Sequence, residues 1–135
     1  MIARSHKSTL SGHARAPGSK SHTIRAVLMA TMSEGTSYIR NPLTSRDAKS
    51  SLDAARAFGA KVTVEDGVWI IEGRGKNLQV PENYVECGNS GTVSAFSSLM
   101  AGLVDGYTFI TGDEQIRRRP IYPSVEAINA LGGHA

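Results

Sequence analysis

From Ser21 to about Ser33 the apolar positions Ile24, Val27, Leu28, Ala30 and Met32 recur at helical spacing. They predict a helix with Ser21 as its N-cap and Glu34-Gly35 as its end. Thr36 to Arg40 is β-prone and reads as a strand, broken by Asn41-Pro42. Ser45 or Asp47 can then cap a second helix, which gathers Ala48, Leu52, Ala55 and Phe58 on one face and closes at Gly59. Lys61–Glu65 and Val68–Glu72 flank Asp66-Gly67, a strong hairpin signal. The polar residues before Pro17 hold one short strand, around Thr9–His13. The first unit therefore reads β-α-β-α-β-β.

A second unit follows the same rhythm. Tyr84–Cys87 reads as a short strand, the next helix runs from about Val93 to Val104, and Tyr107–Thr111 is the matching strand. Arg117-Arg118-Arg119-Pro120 leads into a helix that reaches Leu131. Leu28 to Ile39 aligns with Leu99 to Ile110, five of the twelve positions being identical. Val125–Gly133 likewise mirrors Leu52–Ala60, but no hairpin follows it. This internal logic implies an unfinished repeat, completed by further sequence of the same protein or by strands from another chain, since one such unit cannot bury its apolar face alone.

At 135 residues the chain is long enough for one core. Hydrophobic and charged contents of 40% and 20% fit a globular domain. The formal charge of +3 suits an anionic ligand without demanding nucleic acid. Cys87 stands alone, so there is no internal disulfide framework, and a reducing, cytoplasmic setting is expected. No stretch has the length of a membrane span, and the first residues lack the apolar core of a signal peptide.

Two turns carry candidate chemistry. In Gly18-Ser19-Lys20-Ser21 the glycine can let the backbone approach a ligand, and the helix start offers free N–H groups with a partial positive charge. Lys20 adds a cation and Ser21 a hydroxyl, while Arg25, one turn on, can grip a phosphate or carboxylate with two parallel N–H groups. A capped helix bearing two solvated cations is the plainer alternative. Gly88-Asn89-Ser90-Gly91-Thr92 repeats the pattern without charge. Alone it would be an ordinary strand-to-helix turn, but it sits at the repeat-equivalent point. Neither turn has the glycine spacing of a nucleotide-triphosphate loop.

Arg117–Arg119 is the densest basic run and lacks the interleaved aromatics of a nucleic-acid surface. A proline opening the following helix would fix Arg119 as one oriented cation. His6, His13, His22 and His134 show no metal-ligand spacing with Cys87 or the carboxylates. Cys87 itself has no paired base and reads as a buried strand residue.

Taken together, Leu10–Ser21 with Arg25-Ala26, then Gly88–Thr92, then Gly112-Asp113-Glu114 with Arg117–Ile121, resemble the three N-terminal signatures of the 5-enolpyruvylshikimate-3-phosphate synthases, in that family's order and spacing. The resemblance implies a mixed α/β (α+β) fold of tandem β-α-β-α-β-β units. It places an N-terminal segment at 1–17, one unit at about 18–82 and an incomplete second unit at about 83–135.

It also implies transfer of the enolpyruvyl group of phosphoenolpyruvate to the 5-hydroxyl of shikimate 3-phosphate, without metal or organic cofactor. Lys20 would touch both substrates, Ser21 and Arg25 would hold shikimate 3-phosphate, and Asn89, Gly91 and Arg119 would line the phosphoenolpyruvate site, with Thr92 supporting the turn. The family pattern has asparagine where Ile24 stands and arginine where Ala95 stands, with Phe96 next. By this reading the chain is roughly the first third of an enzyme. Alone it binds weakly or not at all and does not turn over, and it exposes a surface open to self-association. UDP-N-acetylglucosamine enolpyruvyl transferase, which normally carries Lys-Asn where Lys20-Ser21 stand, is the related alternative. A non-catalytic phospholigand-binding module is the alternative of another class.

Overall fold

The computed structural model describes residues 2–9 and 11–135. Its elements run α1 (Lys20–Thr31), β1 (Thr36–Arg40), α2 (Arg46–Ala57), β2 (Lys61–Glu65), β3 (Val68–Glu72), β4 (Tyr84–Glu86), α3 (Gly91–Ala101), β5 (Phe109–Thr111), α4 (Glu114–Arg117) and α5 (Tyr122–Ala130). The expected strand around Thr9–His13 is not formed at Thr9 or Ser11–His13, which are irregular and exposed, and Leu10 lies outside the described residues.

β3 lies between β1 and β2 in an antiparallel sheet of three strands, and β4 pairs with β5 in parallel. The hairpin register sets Lys61 opposite Glu72, and their side chains form a 2.7 Å ion pair. Trp69 and Ile71 point inward from β3 because successive strand residues face opposite sides. They meet Ile24, Val27 and Leu28 of α1, Leu52 and Phe58 of the α2 face, and Val85, Val93 and Met100 in one continuous core. Burying Trp69 and Phe58 alone removes enough apolar surface to stabilise the fold by several kcal/mol, at about 25 cal/mol per Å².

The N-terminal caps set the geometry that matters for function. α1 begins two residues earlier than expected: Ser19, not Ser21, takes the extended cap conformation, and its Oγ accepts from the His22 N–H. Lys20 is thereby the first helical residue. Ser45 caps α2 and Ser90 caps α3, each hydroxyl accepting from the N–H three residues on. Asp113 caps α4, its Oδ1 accepting from both Gln115 and Ile116 at 3.0 Å. This four-residue helix was not expected, and it displaces Pro120 from a helix start. The proline near the beginning of α5 is Pro123, and Arg119 instead follows the last turn of α4, its N–H donating to the Ile116 carbonyl.

Candidate functional site

The N-termini of α1 and α3 converge with the end of α4 on one shallow cavity of about 410 Å³. It is lined by Lys20, Arg25, Asn89, Gly91, Thr92 and Arg119, six of the seven residues singled out from the sequence. Asp47, Ser90, Ala95 and Phe96 complete the wall. Ser21 is not part of this lining; it is exposed beside it, and its carbonyl accepts from Arg25 Nη1 at 3.2 Å. That bond spans one helical turn and draws the guanidinium back along α1.

Lys20 stands in the first turn of α1, where the helix dipole disfavours a cation. Its Nζ lies 2.9 Å from Asp47 Oδ2, on the first turn of α2. Both groups are partly solvated, so the pair contributes little stability. Its effect is to hold the ammonium over the cavity. Asp47 is a member of the site that the motif reading missed; the sequence offered it only as an alternative N-cap of α2, and Ser45 takes that role.

The glycine of the first turn has a different job from the one expected. A Cβ on Gly18 would lie 2.9 Å from the Leu43 N and closer still to the Asn41 carbonyl oxygen. The space beside Gly18 is therefore filled by the Asn41–Leu43 backbone, not left for a ligand. Thr23 secures the same segment, its Oγ1 accepting from the Leu43 N–H at 3.0 Å.

At the second turn the backbone does approach the site. Gly88 has φ +55°, a conformation that suits glycine. Gly91 opens α3, and a Cβ there would lie 2.9 Å from Arg119 Nη1. The guanidinium thus rests against the first residue of a helix whose leading N–H groups lack helical acceptors. Two cross-links bind this turn to the segment that carries Arg119: the Asp113 N–H donates to the Gly88 carbonyl at 2.9 Å, and Asn89 Nδ2 donates to Gln115 Oε1 at 3.0 Å.

The three arginines of the basic run differ in their surroundings. Arg118 pairs with Glu114 one turn back, Arg119 lines both this cavity and a neighbouring one of about 410 Å³, and Arg117 lines only the neighbour, together with Ile110, Ile116 and Ile121. This favours one oriented arginine over a diffuse patch. Ala95 borders both cavities. Ile24 is fully buried in the core, so its side chain belongs to packing.

Cys87 is buried immediately after β4, one residue beyond where the strand stops, and burial pushes its thiol up to about 12. It is a protonated structural residue, in line with the sequence reading. Among the described residues no three His, Cys, Asp or Glu side chains cluster as a metal site, and no helix is long and apolar enough to cross a membrane.

Three cations and a helix start facing one carboxylate across an open cavity define a mixed α/β protein with a site suited to small polyanions. A model of the family EPSP synthase (3-phosphoshikimate 1-carboxyvinyltransferase) matches residues 5–135, and the chain belongs to that family.

Among curated relatives, the 3-phosphoshikimate 1-carboxyvinyltransferase of Ruminiclostridium cellulolyticum is 50% identical over 135 residues, covering 100% of this chain and 32% of the relative. That of Methanothermobacter thermautotrophicus is 45% identical over 126 residues, covering 93% and 30%. The solved EPSP synthase from Acinetobacter baumannii superposes with a TM-score of 0.77 at 26% identity, over 91% of this chain and 28% of that one. The chain spans about a third of the length of the curated relatives it matches.

Proposed function

We propose that this chain supplies one wall of a site that transfers the enolpyruvyl group of phosphoenolpyruvate to the 5-hydroxyl of shikimate 3-phosphate. The 5-hydroxyl loses its proton and its oxygen bonds to the central carbon of phosphoenolpyruvate while the methylene carbon gains a proton; the resulting tetrahedral adduct then gives up a proton from that methyl group and inorganic phosphate, restoring the double bond. Family membership supports the reaction. The observation that carries the site assignment is the convergence of Lys20, Arg25, Asn89, Gly91, Thr92 and Arg119, from three separate stretches of sequence, on one cavity.

Both substrates carry a carboxylate and a phosphate. Arg25, with Ser21 beside it, is assigned to shikimate 3-phosphate. Asn89, Gly91, Thr92 and Arg119 are assigned to phosphoenolpyruvate, and Lys20 lies between the two groups. Fixed cations and N–H donors stabilise the charged adduct without reorganising during the reaction.

We further propose two repeat-related units, about 18–82 and 83–135, behind an N-terminal segment at 1–17. Ser19 and Ser90 cap α1 and α3 at the same separation in sequence as Leu28 and Leu99, which supports the duplication. Leu28 is fully buried and Leu99 is 45% exposed. This fits a second unit without the hairpin that covers the first. The apolar residues left exposed there, Leu103, Phe109 and Leu131 among them, suit the remainder of a longer chain or a second copy of this one. We assign the protein to the cytoplasm, and we infer that these 135 residues do not turn over alone.

Isothermal titration with shikimate 3-phosphate, then with phosphoenolpyruvate, tests the binding assignment, with a nucleotide sugar as control. Saturable binding of the first two and none of the control supports it. Binding of the nucleotide sugar in their place contradicts it. Steady phosphate release by this chain alone would overturn the inference about turnover.

A further inference from the structure

The segment that ends in Arg119 is joined to the Gly88–Gly91 turn by one hydrogen bond between side chains, Asn89 Nδ2 to Gln115 Oε1 at 3.0 Å. Gln115 is in the first turn of α4, and its own N–H is held by the Asp113 cap at 3.0 Å. Asp113 in turn donates its N–H to the Gly88 carbonyl, one residue before Asn89. The three contacts close a small ring: Gly88 to Asp113 through the backbone, Asp113 to Gln115 through the cap, Gln115 to Asn89 through the side chains.

The consequences for Asn89 follow from its hydrogen-bonding inventory. A primary amide has two N–H donors and one carbonyl acceptor. One donor is committed to Gln115, which fixes the amide plane. The second donor and the carbonyl remain, at the edge of a cavity that holds Lys20, Arg25 and Arg119. An unrestrained asparagine on a turn would turn its carbonyl toward those cations; a restrained one keeps an N–H available for an anionic ligand.

We propose that Gln115 is a positioning residue for phosphoenolpyruvate: it acts through Asn89, holding the amide so that an N–H faces the anion, and does not touch the substrate itself. This rests on the assignment of phosphoenolpyruvate to this cavity. It adds a residue lying outside the three lining segments, on a helix that the sequence pattern did not reveal.

A double-mutant cycle tests it. Phosphoenolpyruvate affinity is measured by titration, with shikimate 3-phosphate present, for the unaltered protein, Gln115→Met, Asn89→Ala and the double variant. Methionine matches glutamine in length and lacks its acceptor. The proposal expects Gln115→Met to weaken binding about three- to ten-fold, the scale of one hydrogen bond. It expects the same change to have little effect once Asn89 is alanine. The ¹H–¹⁵N signals of the Asn89 side-chain amide should shift in Gln115→Met without ligand, while thermal unfolding stays within a few degrees.

Equal weakening in both backgrounds would overturn the proposal, because Gln115 would then act independently of Asn89. Unchanged affinity in Gln115→Met, where the unaltered protein binds, would overturn it and leave the site assignment standing. Absence of phosphoenolpyruvate binding by the unaltered protein would overturn the site assignment and the proposal with it.

Discussion

Arg119 Nη1 lies where a Cβ on Gly91 would come within 2.9 Å, so the absence of a side chain at the head of α3 is what lets the guanidinium lie against that helix end. The two residues come from different loops and meet because the Gly88 carbonyl accepts from the Asp113 N–H. Gly91→Ala should therefore move Arg119 without disturbing the core. The expected result is about a ten-fold weaker affinity for phosphoenolpyruvate, with a melting temperature changed by only a few degrees, measured by titration and thermal unfolding on the same sample. Unchanged affinity would contradict the contact.

Gly18 is the contrasting case. Its neighbour is backbone, the Asn41–Leu43 segment, and that segment cannot swing aside as an arginine can. Gly18→Ala should cost stability, about 1–3 kcal/mol in denaturant unfolding. A Gly18→Ala protein as stable as its parent would place the ligand, not the backbone, beside this glycine.

The elements were legible in the sequence wherever local chemistry settled them. The Asp66-Gly67 turn placed both hairpin strands at the bounds observed, and the serine-bearing turns marked the helix starts to within two residues. Features set by contacts distant in sequence were not legible. Asp47 reads as a candidate helix cap until α1 and α2 are packed side by side. The glycine of the first turn looked like a ligand approach because its partner, Asn41–Leu43, follows a helix and a strand later. α4 is too short for hydrophobic periodicity to register, and only the Asp113 cap betrays it. The related segments ending at Phe58 and Leu131 look alike in sequence, yet Phe58 is fully buried and Leu131 is 86% exposed. Burial depends on what covers a face, which the face itself does not encode.

In the proposed site Asp47 would oppose a bound anion as well as holding Lys20. Asp47→Asn removes a carboxylate from the cavity wall and leaves Lys20 without its ion pair. Inorganic phosphate should bind several-fold more tightly to this variant, and the gain should shrink at high salt. Stability should change by less than about 1 kcal/mol, because the pair is partly solvated. Phosphate titration at two ionic strengths checks both the sign and the screening.

Cys87 links the core to alkaline pH. The thiol ionises near 9.0 ordinarily and near 12 in the folded chain. Between those values the unfolded chain has lost a proton that the native chain keeps, so this group's stabilising contribution is complete below 9.0 and falls away as pH rises toward 12. Denaturant unfolding at pH 8 and pH 11 should show a larger loss for the unaltered protein than for Cys87→Ala, since that difference removes every other group from the comparison. At neutral pH the native thiol should resist alkylation until denaturant is added.

The central claim is that one anion site is built from the starts of α1 and α3 and the end of α4. The most direct measurement is an amide NMR titration of the ¹⁵N-labelled protein with shikimate 3-phosphate, followed by phosphoenolpyruvate. The account predicts saturable shifts at Lys20, Ser21 and Arg25 with the first ligand, then at Asn89, Gly91, Thr92 and Arg119 with the second. Saturable shifts confined to some other face of a well-folded protein, with these seven residues unmoved, would contradict it.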